Sequence, residues 1–141
     1  MKGFYPRLVG LALFGAATAL APGAVADTLA PDGQVLNIAH RGASGHAPEE
    51  TVPAFDKAQA LDADYLELDA QLTEDGELVA FHDTKVNRTT DGSGKLSSFT
   101  LAELQQLDAG SWFNKAHPDK ADPAFEGLQV PTLDQLVARY G

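Results

Sequence analysis

Residues 65–83 read Tyr65-Leu66-Glu67-Leu68-Asp69-Ala70-Gln71-Leu72-Thr73-Glu74-Asp75-Gly76-Glu77-Leu78-Val79-Ala80-Phe81-His82-Asp83, and this stretch decides the fold. Its first five residues alternate. Leu66 and Leu68 face one way while Tyr65, Glu67 and Asp69 face the other, as on a strand with one face against a core. Thr73-Glu74-Asp75-Gly76 is a turn signal. Leu78-Val79-Ala80-Phe81 is a second apolar strand that ends at His82-Asp83. If the two segments pair as a hairpin about Gly76, residues 69 and 82 sit opposite. If they run parallel, residues 70–77 must return the chain, and at about 3.3 Å each they reach about 26 Å, enough to recross a short strand. Both routes bring His82 near Glu67 and Asp69, and the sequence leaves both open.

Upstream, Val35-Leu36-Asn37-Ile38-Ala39 is a compact apolar run that predicts a buried strand. His40 to Pro48 carries Gly42 and Gly45 and predicts a loop. Thr51 is placed to cap a helix starting at Val52-Pro53, where proline is tolerated in the first turn. Ala54, Phe55, Ala58 and Leu61 give it one apolar stripe. Strand, helix and strand in this order point to a βα barrel or a doubly wound sheet. Downstream, Asn87 to Ser98 reads as a long loop. Thr100 caps Leu101 to Leu107, with Glu103 completing a capping box. Asp108 to Glu126 reads as irregular, and a last helix, Leu133 to Tyr140, starts from Pro131 or Thr132.

The formal charge of the 141 residues is −10. That argues against nucleic acid, whose phosphates require clustered Lys and Arg. The absence of cysteine excludes disulfides, thiolate metal sites and cysteine nucleophiles. Residues 1–26 have the layout of a secretory signal peptide: Lys2 and Arg7, an apolar run from Leu8 to Ala21, Pro22-Gly23, then Ala24-Val25-Ala26 before Asp27. The run is short of the roughly 20 residues that span a bilayer. The expectation is a periplasmic or secreted protein with no stable membrane span after cleavage, a linker over 27–34 and one folded domain over 35–141.

The polar residues suggest a chemistry. Glu67 and Asp69 project from one strand face, and two such carboxylates repel unless a cation or protons compensate. Hard oxygen donors suit Ca²⁺ or Mg²⁺, although a plain exposed strand face gives the same pattern. His40 and His82 each end an apolar strand, where parallel α/β folds place active sites, and imidazoles there can act as general acid and base. Arg41 offers a fork for phosphate oxygens; the simpler alternative is an ion pair with Glu49 or Glu50. Together the set points to metal-assisted attack on a phosphate ester.

These residues sit within a longer series: His40-Arg41-Gly42-Ala43, Pro48-Glu49-Glu50-Thr51 with Ala54-Phe55, Glu67-Leu68-Asp69, Leu72 to Gly76, His82-Asp83, Arg88-Thr89-Thr90-Asp91-Gly92, Thr100 to Leu104, Leu107 to Phe113 and Val130-Pro131-Thr132-Leu133. The series resembles the glycerophosphodiester phosphodiesterase family over about residues 36–137. The resemblance implies a TIM-type (β/α)8 barrel of the PLC-like phosphodiesterase kind that hydrolyses glycerophosphodiesters to sn-glycerol 3-phosphate and an alcohol. It implies His40 and His82 as the acid/base pair, Arg41 on the phosphate, Glu67 and Asp69 on a divalent cation, and Glu49 in support. Residues 87–131 correspond to the family's inserted region, and a core role is expected for Trp112 and Phe113. Related barrels act on phospholipids or sphingolipids, sometimes through a cyclic phosphate, and a non-catalytic fragment is a third reading.

Two departures stand out. The family usually has asparagine where this chain has Glu50. An inward Glu50 would add negative charge beside an anionic substrate; an exposed one would matter little. Such a barrel takes roughly 250 residues, and three strands are legible here against eight. In the family a third metal carboxylate, followed by a lysine, comes from a later strand. The expectation is therefore the N-terminal part of the barrel, with an incomplete metal site.

Overall fold

The alternation of Leu66 and Leu68 with Tyr65 and Glu67 becomes a central strand with one apolar face. In the computed structural model, which describes residues 7–10, 33 and 35–141, strands β1 (Arg7–Gly10), β2 (Ile38–His40) and β3 (Tyr65–Leu68) form a parallel sheet with β3 in the middle. Helix α1 (Val52–Ala60) connects β2 to β3. The register sets Ala39 beside Leu66 and His40 beside Glu67. Strands β4 (Ala70–Leu72) and β5 (Leu78–Ala80) form a separate antiparallel pair.

The hairpin route is the one the chain takes, with a register one residue from expectation. Ala70 pairs with Ala80, and the Phe81 N–H donates to the Asp69 carbonyl at 2.9 Å, so Asp69 faces Phe81 and not His82. The turn explains the offset. Thr73 and Glu77 are paired at its base, and the three residues between them turn through Gly76 at φ +85°, as three-residue hairpin loops with a left-handed glycine do. The outer edge of β5 is occupied by Pro131, whose carbonyl accepts the Ala80 N–H at 3.0 Å, and by a bridge from Val79 to Thr132.

The main core forms where α1 and α4 (Leu133–Tyr140) cover the Leu66–Leu68 face. Phe55, Ala58, Leu66, Leu68, Ala80, Leu136 and Tyr140 are all buried there, with the Phe55 and Tyr140 rings 5.8 Å apart. A second cluster joins Val79 and Phe81 to Val86, Leu96, Leu104 and Val130. A third packs Phe113 and Phe125 on Ala47 and Ala54. Phe113 thus has the expected core role, and half-buried Trp112 packs beside it, donating its indole N–H to the Ala109 carbonyl.

Several local expectations change. The strand at Val35–Ala39 shrinks to Ile38–His40, and Val35 is 91% exposed, because β2 lies at the edge of the described sheet and no described residue buries its start. Thr51 sits at the helix N-cap but donates its hydroxyl to the Pro48 carbonyl at 2.6 Å, so it makes no side-chain cap. Leu61 falls after the helix and is exposed. The expected irregular stretch contains α3 (Ser111–Ala116), whose start is satisfied by Asp108 accepting from the Gly110 and Ser111 N–H groups. The predicted capping box of Thr100 with Glu103 is present on α2 (Leu101–Leu104), and α4 starts from Thr132, one of the two expected start residues, with a second capping box to Gln135 that the sequence reading did not include. Arg7–Gly10, inside the segment read as a signal peptide, runs beside β3 from Tyr65 to Leu68. The cleavage position at Ala26–Asp27 lies outside the described residues.

Replacing Phe55 by Ala removes a fully buried ring from the α1–α4 contact and is expected to cost about 3–5 kcal/mol. Leu61→Ala, on an exposed side chain, is expected to stay within about 0.5 kcal/mol. Urea unfolding of the two variants checks both.

Candidate active site

The polar side of β3 meets the loop that follows β2, and an unusual backbone joins them. Arg41 and Gly42 follow β2 with φ of +55° and +74°. A side chain on Gly42 would be driven into the Ala54 backbone at 2.8 Å, so this loop seats directly on α1. A left-handed arginine is strained and must be held. The Glu67 carboxylate accepts the Arg41 N–H at 2.9 Å, and the Arg41 carbonyl accepts the Glu50 N–H at 3.2 Å. Glu50 is itself left-handed at φ +60°, and its Oε1 accepts the Asp69 N–H at 2.8 Å. The loop is therefore stitched to Glu67 on β3 and to Asp69 just beyond its end.

Five carboxylates and two guanidiniums gather here. Arg41 Nη1 donates to Glu49 Oε1 at 3.0 Å, and its Nε lies 3.2 Å from Asp69 Oδ2. That second contact is an ion pair with poor alignment; neither atom has a hydrogen-bond partner although both are buried. Arg88 binds Glu49 and Asp83 through both oxygens of each. His82 Nδ1 lies 2.6 Å from Asp83 Oδ1. Gln71 reaches back from β4 to hold the chain at this point, its side-chain amide 2.8–2.9 Å from the carbonyls of Phe81, His82 and Asp83. His40 stands beside Glu67 in register and is exposed, as is His82.

The structure thus gathers Arg41, Glu49, Glu67 and Asp69 in one network and joins His82 to it through Asp83 and Arg88. Both the phosphate-binding and the ion-pair readings of Arg41 remain compatible with it, since the pair with Glu49 forms. Three participants were not assigned a role from sequence: Arg88, Gln71 and Asp83. An arginine five residues after His82-Asp83 in so acidic a chain was the available signal for the first.

Glu50 points inward and is only 4% exposed. Burial pushes its pKa to about 9, and the nearby Asp69, Glu67 and Glu49 charges push the same way, against the opposing hydrogen bond from the Asp69 N–H. Near neutrality it is a neutral acid and adds no charge to the site. Glu49 behaves oppositely: burial raises its pKa, but hydrogen bonds and charge from Arg88 and then Arg41 outweigh it and hold the carboxyl below the usual range. Hydrogen bonding from Arg88 outweighs the effect of burial and, with a further contribution from His82, holds Asp83 well below that range.

Among the described residues no three His, Asp or Glu side chains converge in a metal-holding arrangement. The donor set that is present is nevertheless of the right chemistry for a hard cation. It comprises two carboxylates on one strand face, one of them with a buried oxygen, Asp69 Oδ2, that no hydrogen bond satisfies.

Known proteins are similar to this chain in sequence and fold. The model of the glycerophosphoryl diester phosphodiesterase family matches residues 40–140. The chain belongs to that family. A glycerophosphodiester phosphodiesterase of Bacillus subtilis is 51% identical over 113 residues, covering 80% of this chain and 38% of the relative. The crystal structure of a glycerophosphodiester phosphodiesterase from Agrobacterium tumefaciens superimposes with a TM-score of 0.67 at 39% identity, covering 75% of this chain and 42% of that one. A phosphodiesterase of Oleispira antarctica, solved with the product sn-glycerol-3-phosphate, gives a TM-score of 0.65 at 38% identity, over 75% of this chain and 41% of the other. The chain spans about two fifths of the length of these family members. Its fold is accordingly the N-terminal portion of a TIM-type barrel, as the family resemblance implied.

The raised Glu50 pKa has a defined stability signature. A carboxyl that is harder to ionise when folded stabilises fully below its unfolded pKa, near 4.5, and loses that contribution as pH rises towards about 9. Glu49 and Asp83, shifted the other way, contribute above the ordinary carboxylate range and lose it as pH falls, so the windows do not overlap. With a chelator present, unfolding free energy is expected to fall between pH 5 and 9 with a limiting slope of about 1.4 kcal/mol per pH unit. Glu50→Gln should flatten it. Urea titrations across that range decide; equal slopes in the two proteins would refute a protonated Glu50.

Proposed function

We propose that this chain carries the acid/base and phosphate-binding half of a metal-dependent glycerophosphodiesterase, which cleaves glycerophosphodiesters to sn-glycerol 3-phosphate and an alcohol. The observation that carries the reading is the placement of Arg41. It follows His40 directly, beside Glu67 and Asp69, and among the described residues its guanidinium donates a hydrogen bond only to Glu49. A guanidinium has five N–H donors, so Arg41 retains several for two phosphate oxygens.

The charge count favours a divalent cation. With Glu50 neutral, Glu49, Glu67, Asp69 and Asp83 are accompanied among the described residues by Arg41 and Arg88 alone, leaving a deficit of two positive charges. Glu67 and Asp69 would hold Ca²⁺ or Mg²⁺, which supplies Lewis-acid stabilisation of phosphate charge when bound. The chain's own residues supply the rest. Arg41 fixes the phosphate and offsets charge that develops on its oxygens. His40 and His82 move the protons, one accepting from the attacking hydroxyl or water and the other donating to the departing alkoxide. With Nδ1 of His82 turned to Asp83, its Nε2 is the atom left to exchange a proton with substrate. Glu49 supports Arg41 by fixing its Nη1 end.

The test is turnover of glycerophosphocholine by the full-length gene product with Ca²⁺ or Mg²⁺. His40→Ala and His82→Ala are each expected to lower kcat about 10²–10⁴-fold. Undiminished turnover in both would sink the assignment. Phosphorus NMR of the products separates hydrolysis from ring closure: sn-glycerol 3-phosphate supports the proposal, and a cyclic phosphate points to a phospholipid- or sphingolipid-type reaction.

We also propose export on the strength of residues 1–26, whose basic start, short apolar run and Ala24-Val25-Ala26 fit a cleavable signal. Mass spectrometry of the protein recovered outside the cytoplasm is expected to find Asp27 at its N-terminus. A chain that begins at Met1 would oppose this.

A further inference from the structure

Arg88 opens a motif, Arg88-Thr89-Thr90-Asp91-Gly92, to which the chemistry above gives no role. Its guanidinium is almost fully committed. Nε donates to Asp83 Oδ2 at 2.8 Å and Nη2 to Asp83 Oδ1 at 2.9 Å; Nη1 donates to Glu49 Oε2 at 2.9 Å and Nη2 to Glu49 Oε1 at 2.6 Å. Four of its five N–H groups are thereby used, which leaves little for a substrate phosphate. Each carboxylate also touches a second group. Asp83 Oδ1 is 2.6 Å from His82 Nδ1, and Glu49 Oε1 accepts from Arg41 Nη1 at 3.0 Å. One planar fork therefore stands between the imidazole and the other guanidinium of the site.

We propose that Arg88 is a positioning residue that sets His82 through Asp83 and Arg41 through Glu49. The inference rests on the phosphodiesterase reading for what those two groups do. Physically, Asp83 is a short, partly exposed side chain free to rotate into solvent; a two-point clamp from Arg88 fixes it where it can hold the His82 Nδ1 proton and leave Nε2 towards substrate. Glu49 is clamped by the same fork and in turn fixes the Arg41 Nη1 end. Lysine cannot replace this function, because an ammonium is a point charge that does not bind two carboxylates through both oxygens of each. Arg88 is 43% exposed in its side chain, so its replacement removes no core packing.

The two arms predict separable effects in the full-length gene product. Arg88→Gln should lower kcat with glycerophosphocholine about 10–100-fold, the range for losing a group that orients a ligand or catalytic side chain, and should raise KM. Arg88→Lys should recover only part of kcat. In an Asp83→Asn background, Arg88→Gln should cost little further kcat while KM still rises, since groups acting through one another are non-additive. Nitrogen-15 NMR of His82 gives a readout that needs no turnover: the Nδ1-protonated tautomer should dominate in the native protein and lose dominance in Arg88→Gln. An unchanged tautomer ratio overturns the proposal whatever the activity. A raised KM with unaltered kcat and tautomer would make Arg88 a direct phosphate ligand and overturn it as well. Should His40→Ala and His82→Ala retain turnover, the phosphodiesterase assignment falls, while the tautomer measurement still judges Arg88.

Discussion

The hydrogen bond from the Arg41 backbone N–H to the Glu67 carboxylate organises the rest of the site. It joins neighbouring parallel strands at their C-terminal ends, where the ladder itself stops. It also holds Arg41 in a left-handed conformation that a non-glycine residue avoids. That twist, continued through Gly42 onto Ala54, turns the chain back over α1 and presents Glu49 and Glu50 to the strand ends. Without it the Arg41 fork, the Glu49 clamp and the Glu50 contact to Asp69 would have no common origin. Strain at two residues of one loop, Arg41 and Glu50, is what a site held by its surroundings displays.

Crowded carboxylates need a physical settlement, and three are used side by side. Glu50 is buried and stays protonated. Glu49 and Asp83 share Arg88, in an arrangement partly open to water. Glu67 accepts the Arg41 backbone N–H and Asp69 pairs with the Arg41 guanidinium, with one Asp69 oxygen buried without a hydrogen bond. The substitution of a longer acid where the family usually carries asparagine is thus accommodated without a new charge, because the Glu50 carboxyl takes an acceptor role towards the Asp69 N–H that an amide oxygen could also fill.

How much of this was legible follows from which interactions are local. The alternation at 65–68, the capping box of Thr100 with Glu103 and the helix start at Thr132 are set by residues within one turn or one strand, and they formed as read. The misses have tertiary causes. Thr51 had the right residue type for a cap but a nearer carbonyl at Pro48. Val35 had strand composition but no covering layer among the described residues. Helix α3 is too short for propensity to specify and depends on Phe113 packing against Ala47, Ala54 and Phe125, although Asp108 ahead of Ser111 was a readable start signal. In the site, the positions of Glu67, Asp69 and His40 follow from strand period and register. The inward turn of Glu50 and the double clamp of Arg88 depend on where residues 39 positions apart meet, which spacing does not encode.

The hairpin resolves an apparent conflict between the fold and the site. Strands of a TIM-type barrel run parallel and collect their functional groups at one end, yet β5 runs antiparallel to β4. The chain manages both because Asp69 interrupts the line between β3 and β4. The segment after Asp69 continues outward past the sheet, turns through Gly76 and returns, so its last residues come back beside the C-terminal end of β3. Phe81 meets Asp69, and His82-Asp83 follows at once. The one-residue offset of that register has a consequence. A pairing of Asp69 with His82 would put imidazole and carboxylate directly opposite one another, inviting an ion pair that would consume both. With Phe81 in that place and buried in its own cluster, His82 is carried one step beyond, to Asp83 and the reach of Arg88. Asp69 is left to pair with Arg41 instead.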